Sequence, residues 1–139
     1  MKQIKVPNLL MFENIKDLLN EQREVKIRVT GNSMLPFYKD NQTIVMLKKF
    51  NNYQKYDVVL ALYQNKVILH RIIKIKDNYF ILRGDGLVTK EKVNINNVFG
   101  KVVSFETNNK KVKAYKFKVR LWMFLRPFRR LLLKFVKKG

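Results

Sequence analysis

The stretch Glu24-Val25-Lys26-Ile27-Arg28-Val29-Thr30-Gly31-Asn32-Ser33-Met34-Leu35-Pro36 changes character in mid-course, and the reading of the whole chain follows from it. Val25, Ile27 and Val29 alternate with Lys26, Arg28 and Thr30, the pattern of a half-buried strand. The alternation stops at Gly31, which frees the backbone, and Pro36 stiffens the chain again. Ser33 lies between them, carried out at the strand's end. A serine hydroxyl is inert near neutral pH unless a base takes its proton and nearby donors stabilise an oxyanion. A catalytic Ser33 therefore requires partners elsewhere, and without them Gly-Asn-Ser before a proline is an ordinary polar turn.

One histidine is present, His70, within Lys66-Val67-Ile68-Leu69-His70-Arg71-Ile72-Ile73. Strand alternation puts it on the same face as Ile68 and Ile72. A general base needs a neutral imidazole, and His70 is the natural candidate. The plainer alternative is a core histidine satisfied by a backbone carbonyl. Downstream, Arg83-Gly84-Asp85-Gly86 is a turn with one carboxylate, which is either solvated or turned towards the base. The order Ser, His, Asp differs from the familiar triad orders, and triads are defined by geometry in any case.

Four segments together resemble the successive boxes of the signal peptidase I and LexA-like serine peptidase clan. They are Gly31-Asn32-Ser33-Met34-Leu35-Pro36, His70-Arg71-Ile72, Gly84-Asp85 and Val98-Phe99-Gly100-Lys101-Val102, and the resemblance runs from about Val25 to Phe105. Members of this clan often use lysine as base, whereas His70 is similar to the serine-histidine variant of archaeal and endoplasmic reticulum signal peptidases. The resemblance implies Ser33 as nucleophile, His70 as base and Asp85 as the carboxylate that orients the imidazole. It places Met34 beside the substrate groove. Two departures stand out. Gly86 and Glu91 occupy places where that branch has an asparagine and a second aspartate, so Glu91 is a second candidate for the supporting carboxylate, set against a surface charge between Lys90 and Lys92. Gly31 occupies a place where some relatives donate a hydroxyl to the oxyanion, which leaves the Ser33 N–H, with Asn32 and Thr30 as candidate donors.

Further strands are expected at Thr43–Leu47, Val58–Tyr63, Lys66–Ile75, Tyr79–Leu82 and Val98–Phe105, separated by Asp- and Asn-rich turns. Closely spaced strands of this kind predict a mainly β fold, a folded antiparallel sheet or partly open barrel of the type the resemblance implies. Before them, Leu10, Met11, Ile15, Leu18 and Leu19 recur at helical spacing behind a capping Asn8, which predicts a short amphipathic helix packed on the domain. The expected division is residues 1–23 for the helix, 24–119 for the β domain and 120–139 for a second helix.

That last segment is electrically distinct. Of 139 residues, those up to 106 hold 18 basic and 10 acidic side chains, whereas 107–139 hold 12 basic and none acidic, within a net charge of +20. Residues 115–119 alternate like a final strand. Beyond them, Leu121, Phe124, Leu125, Phe128, Leu132, Phe135 and Val136 form one helical stripe, with Arg126, Arg130, Lys134 and Lys137 opposite. Arg126, Arg129 and Arg130 interrupt the apolar run, which argues against a span. A basic amphipathic helix with Trp122, Phe124 and Phe128 suits an anionic membrane interface, where Arg126, Arg130 and Lys134 meet the headgroups. Packing on the β domain and nucleic-acid binding are the competing readings, the latter less favoured. Charges also break the first apolar run, so no signal-peptide core is read there. The expectation is a cytoplasmic protein at the inner face of the membrane.

With 47% hydrophobic residues the chain can bury a real core, and with no cysteine it has neither a disulfide framework nor a thiolate metal site. Two functions follow. One is a serine endopeptidase, with no metal or organic cofactor, that cleaves a leader, signal or precursor peptide through an acyl-enzyme. The other is a degenerate peptidase fold that serves as a binding module, held to membrane or nucleic acid by its tail. Oligomeric state is not legible.

Overall fold

In the computed structural model, which describes residues 4–5 and 9–114, the alternating stretch Val25–Arg28 is indeed a strand, with Val25 and Ile27 buried and Lys26 and Arg28 half-exposed. In chain order the elements are β1 (Ile4–Lys5), α1 (Leu9–Asn20), β2 (Val25–Arg28), β3 (Thr43–Lys48), β4 (Val58–Tyr63), β5 (Lys66–Ile75), β6 (Tyr79–Arg83), β7 (Glu91–Asn94), β8 (Val98–Thr107) and β9 (Lys110–Lys113), with a 3-10 turn at Ile95–Asn97. They form a single sheet in the order β1-β2-β3-β8-β4-β5-β6-β7, with β9 paired to β8. All pairings are antiparallel except β1 with β2. The expected mainly β architecture with a short N-terminal helix is therefore present. The expected strand at 115–119 and the helix at 120–139, with Trp122, Phe124, Arg126, Phe128, Arg130 and Lys134, lie outside the described residues.

The helix buries Phe12, Ile15 and Leu19 and leaves Leu10 78% exposed. The inward stripe is thus rotated from the expected one, because Phe12 packs edge-on against Phe99, 5.0 Å between ring centroids. The helix ends in a Schellman arrangement: Gln22 is left-handed (φ 63°), and the N–H groups of Gln22 and Arg23 donate to the carbonyls of Leu19 and Leu18.

The sheet curls around that helix. Three register irregularities, at Met46/Leu47, Leu60/Ala61 and Ile72/Lys74, supply the local twist that curling requires. Phe12, Ile15, Leu19, Ile27, Leu47 and Leu60 belong to the core inside the curl. A second cluster, including Val59, Ile72, Phe80, Leu82 and Val93, lies on the other face of β4 to β7. Because β4 serves both clusters, Val58, Val59, Leu60 and Ala61 are all buried, so β4 reads as a continuous apolar run and not as an alternation.

The β4–β5 hairpin fixes the phase of β5. Its two-residue turn, Gln64-Asn65, has both residues left-handed (φ 49° and 64°), as a type I′ turn requires. Tyr63 then pairs with Lys66, and in sequence Val59 faces His70 and Val58 faces Arg71. His70 consequently shares the face of the second cluster, as its spacing from Ile68 and Ile72 predicts, and Arg71 shares the face inside the curl.

Candidate active site

Ser33 stands in the turn that follows β2, and local chemistry explains its course. Gly31 is left-handed (φ +85°), a conformation that costs a residue with a Cβ about 1 kcal/mol. Its N–H donates to Asp40 Oδ1 at 2.7 Å. The turn then winds tightly, with Leu35 N–H on the Asn32 carbonyl and the N–H groups of Phe37 and Tyr38 on that of Met34, and the Leu35–Pro36 peptide is cis. A glycine at position 31 is thus a backbone requirement, which accounts for the missing hydroxyl donor there.

The Gly84-Asp85-Gly86 segment is the buttress of this turn. Gly86 N–H donates to the Ser33 carbonyl at 2.8 Å, and Asp85 N–H meets Met34 Sδ at 3.4 Å. A Cβ on Gly84 would collide with the Ser33 carbonyl oxygen, and one on Gly86 would come within 2.7 Å of that of Asn32. Both glycines are therefore fixed by close backbone approach. This gives Gly86 a local reason of its own, where the resemblance would place an asparagine.

His70 is buried, and its Nδ1 lies 2.6 Å from Glu91 Oε1. A carboxylate can only accept, so with Glu91 ionised Nδ1 carries the proton and Nε2 offers its lone pair. Glu91 reaches it because β7 pairs Glu91 with Leu82, on the same face as His70 and Ile72. Asp85 does not serve His70, which corrects the expectation. Its two oxygens accept from Arg71 Nε at 2.8 and 3.1 Å, and Oδ2 also from Arg71 Nη2 at 2.7 Å, while Arg71 Nη1 donates to the Tyr56 carbonyl. The reason is parity: the residue after His70 faces into the curl, where the arginine fork matches the carboxylate geometrically.

Ser33 and His70 line one cavity of about 130 Å³, together with Met34, Val29, Leu60 and Leu69. Ser33 is half-buried and Met34 buried, whereas Asn32 is exposed. In a flat sheet β2 and β5 would stand four strand spacings apart, roughly 19 Å. The curl brings strand ends that far apart in the sheet to the lining of one groove. Among the described residues no hydrogen bond joins Ser33 to His70, a common state for catalytic pairs without substrate. Along β5, β6 pairs with Arg71–Ile75 only, and among the described residues no strand pairs with the Val67–His70 edge on that side, at the groove.

Sequence reasoning left three supports unassigned. Arg71 was visible only as the residue beside His70. Tyr38 is fully buried near the Arg71–Asp85 pair, and burial pushes its phenol well above the ordinary range while Arg71 pulls it down and Asp85 pushes it up. Gly86 stood out only as a departure from the resembled pattern, with no sign that its N–H holds the Ser33 carbonyl.

A serine-bearing turn and a histidine–carboxylate pair stand together on a curled antiparallel sheet, the set of groups that serine-peptidase chemistry requires. The chain matches the family model described as Peptidase S24-like over residues 3–103, and it belongs to that family. Comparison with curated proteins returned no match. Among the described residues no group of three or more His, Asp or Glu side chains is placed to hold a metal ion, and no helix is long and apolar enough to cross a membrane.

Proposed function

We propose that this chain is a serine endopeptidase of the serine-histidine type that cleaves a leader, signal or precursor peptide. The observation that carries this reading is the meeting of Ser33 with the Glu91-paired His70 on one groove. In the proposed reaction His70 Nε2 takes the Ser33 proton as Oγ attacks the scissile carbonyl, and Glu91 stabilises the imidazolium through Nδ1. The oxyanion draws on the Ser33 N–H, with the Asn32 amide as a second donor. Collapse of the tetrahedral intermediate passes the proton from His70 to the leaving amine, and water then hydrolyses the acyl-enzyme. The substrate adds as an extended strand along the Val67–His70 edge. The groove walls of Val29, Met34, Leu60 and Leu69 favour small aliphatic side chains there.

The basic tail, which lies outside the described residues, is read as a membrane-surface anchor that holds the enzyme on the cytoplasmic side of an anionic bilayer. Flotation with anionic and neutral vesicles, before and after deletion of residues 120–139, tests this separately from the chemistry. Binding that survives the deletion would rule the tail out as anchor.

A fluorophosphonate probe tests the peptidase reading. Wild type should be labelled, and Ser33→Ala and His70→Ala should not. Equal labelling of all three would leave only the binding-module alternative.

A further inference from the structure

We propose that a cleft on the reverse face of β5, β6 and β7 from His70 and Glu91 is a binding site for a compact polyphosphate, two or three linked phosphate groups carried either by a soluble molecule or by a lipid headgroup. The cleft has a volume of about 540 Å³, within the range of small-ligand sites, and Lys55, Lys74, Arg83, Lys90 and Lys92 line it. Among the described residues no acidic side chain lines it.

Its construction follows from the sheet. The irregularity at Ile72/Lys74 sets Lys74 opposite Ile81, and Ile81 in turn faces Lys92. Lys74 and Lys92 thus flank an apolar floor of Ile73 and Ile81 in a row two strand spacings wide, roughly 10 Å at the backbone. That span accommodates an anion between two ammonium groups on flexible stems. Like charges gathered on one face of a sheet repel and cost stability. Among the described residues Lys55, Lys74, Lys90 and Lys92 take part in no ion pair. Lys92 and Lys55 lie over the rings of Tyr79 and Tyr56, at 4.3 and 5.1 Å from the centroids, which holds the stems without neutralising the charge.

The residue types choose the ligand. Four of the five cations are lysines, compact point charges with rotatable donors that suit tetrahedral phosphate oxygens better than the planar carboxylate an arginine fork selects. The four lysine charges around one cavity exceed the two that a single phosphate can neutralise. A nucleic-acid strand, in contrast, requires a cationic track, and these side chains converge on one place.

The test uses the full chain at fixed ionic strength, with tripolyphosphate titrated calorimetrically and vesicles containing diacylglycerol pyrophosphate in a parallel flotation arm. Two charge-reversal pairs are compared: Lys74→Glu with Lys92→Glu in the cleft, and Lys110→Glu with Lys113→Glu, exposed on β9, as a control with the same change in net charge. Tripolyphosphate binding should weaken about tenfold or more in the cleft pair and less than about twofold in the control. Lys90→Gln with Lys92→Gln should show a smaller loss in the same direction, with an unchanged melting curve. Selective loss of tripolyphosphate binding assigns a soluble ligand, and selective loss of vesicle binding alone assigns the headgroup. Unchanged binding in the cleft pair, equal weakening in both pairs, or cleft dependence for an oligonucleotide but not for either phosphate probe would overturn the proposal.

Discussion

His70 and Arg71 follow one another on β5 and each holds one carboxylate, yet the two pairs are built for different work. His70–Glu91 rests on a single 2.6 Å contact at the groove, with side chains 8% and 9% exposed. Arg71–Asp85 is a fork of three contacts, with side chains 3% and 1% exposed. In the first pair one ring nitrogen remains for chemistry. In the second, burial works against the Arg71 charge, but the facing Asp85 carboxylate more than offsets it and keeps the guanidinium pKa above its ordinary value. One pair can exchange a proton during a reaction, and the other is a permanent brace. The brace reaches Ser33 through the backbone, since Asp85 and Gly86 hold Met34 and Ser33. Strand parity thus separates reactivity from rigidity between consecutive residues.

The sharpest way to break this contrast is to exchange a carboxylate for an amide in each pair. Glu91→Gln should lower the rate of probe labelling by about a thousandfold with little change in melting temperature, because the imidazolium loses its counter-charge and the tautomer preference is lost. Asp85→Asn should do the reverse. It leaves a buried guanidinium without its charge partner and should cost about 3–5 kcal/mol in denaturant unfolding, while the folded fraction still labels. Equal effects of the two on labelling would merge the pairs. Replacing both brace partners, Arg71→Met with Asp85→Leu, should recover most of that stability, as buried ion pairs often exchange neutrally for apolar groups.

A smaller effect is expected from Gly84→Ala. Its Cβ would displace the Ser33 carbonyl, so unfolding free energy should fall by about 1–3 kcal/mol and labelling should slow even though neither pair is touched. The smallest effect concerns pH. The folded chain holds the Tyr38 proton, whereas the unfolded chain releases it above about pH 10, so this stabilisation is full below that point and declines as pH rises. Melting temperature should fall more steeply between about pH 9 and 11 in wild type than in Tyr38→Phe.

Legibility in the sequence followed the strength of the local pattern. Val58–Tyr63 and Lys66–Ile75 were bounded correctly because an apolar run and a long alternation are each flanked by turn residues. Ser33 and His70 were singled out by their surroundings, and the fold brings them to one groove. Glu91 was the harder case. Glu91-Lys92-Val93-Asn94 is short and polar, and a glutamate between two lysines has the look of a solvated charge. Only its pairing with Leu82 buries it, and that pairing is a property of the sheet. Asp85 misled for the complementary reason: its proximity to the histidine box in sequence order says nothing about which side of β5 it meets. Arg71 was hidden by the same parity.

The Gln64-Asn65 turn has a consequence for how such an enzyme changes over generations. A loop shorter by one residue would slide β5 along β4 by one position, putting Arg71 opposite Val59 in the place of His70 and Ile72 opposite Val58 in the place of Arg71. The composition would be almost untouched, yet Glu91 would meet an arginine that cannot accept a proton and Asp85 would face an isoleucine in place of its cation. A two-residue turn thus acts as a phase setting for both carboxylate pairs. Lineages that drift in hairpin length would be expected to lose the histidine–carboxylate pair and the brace together.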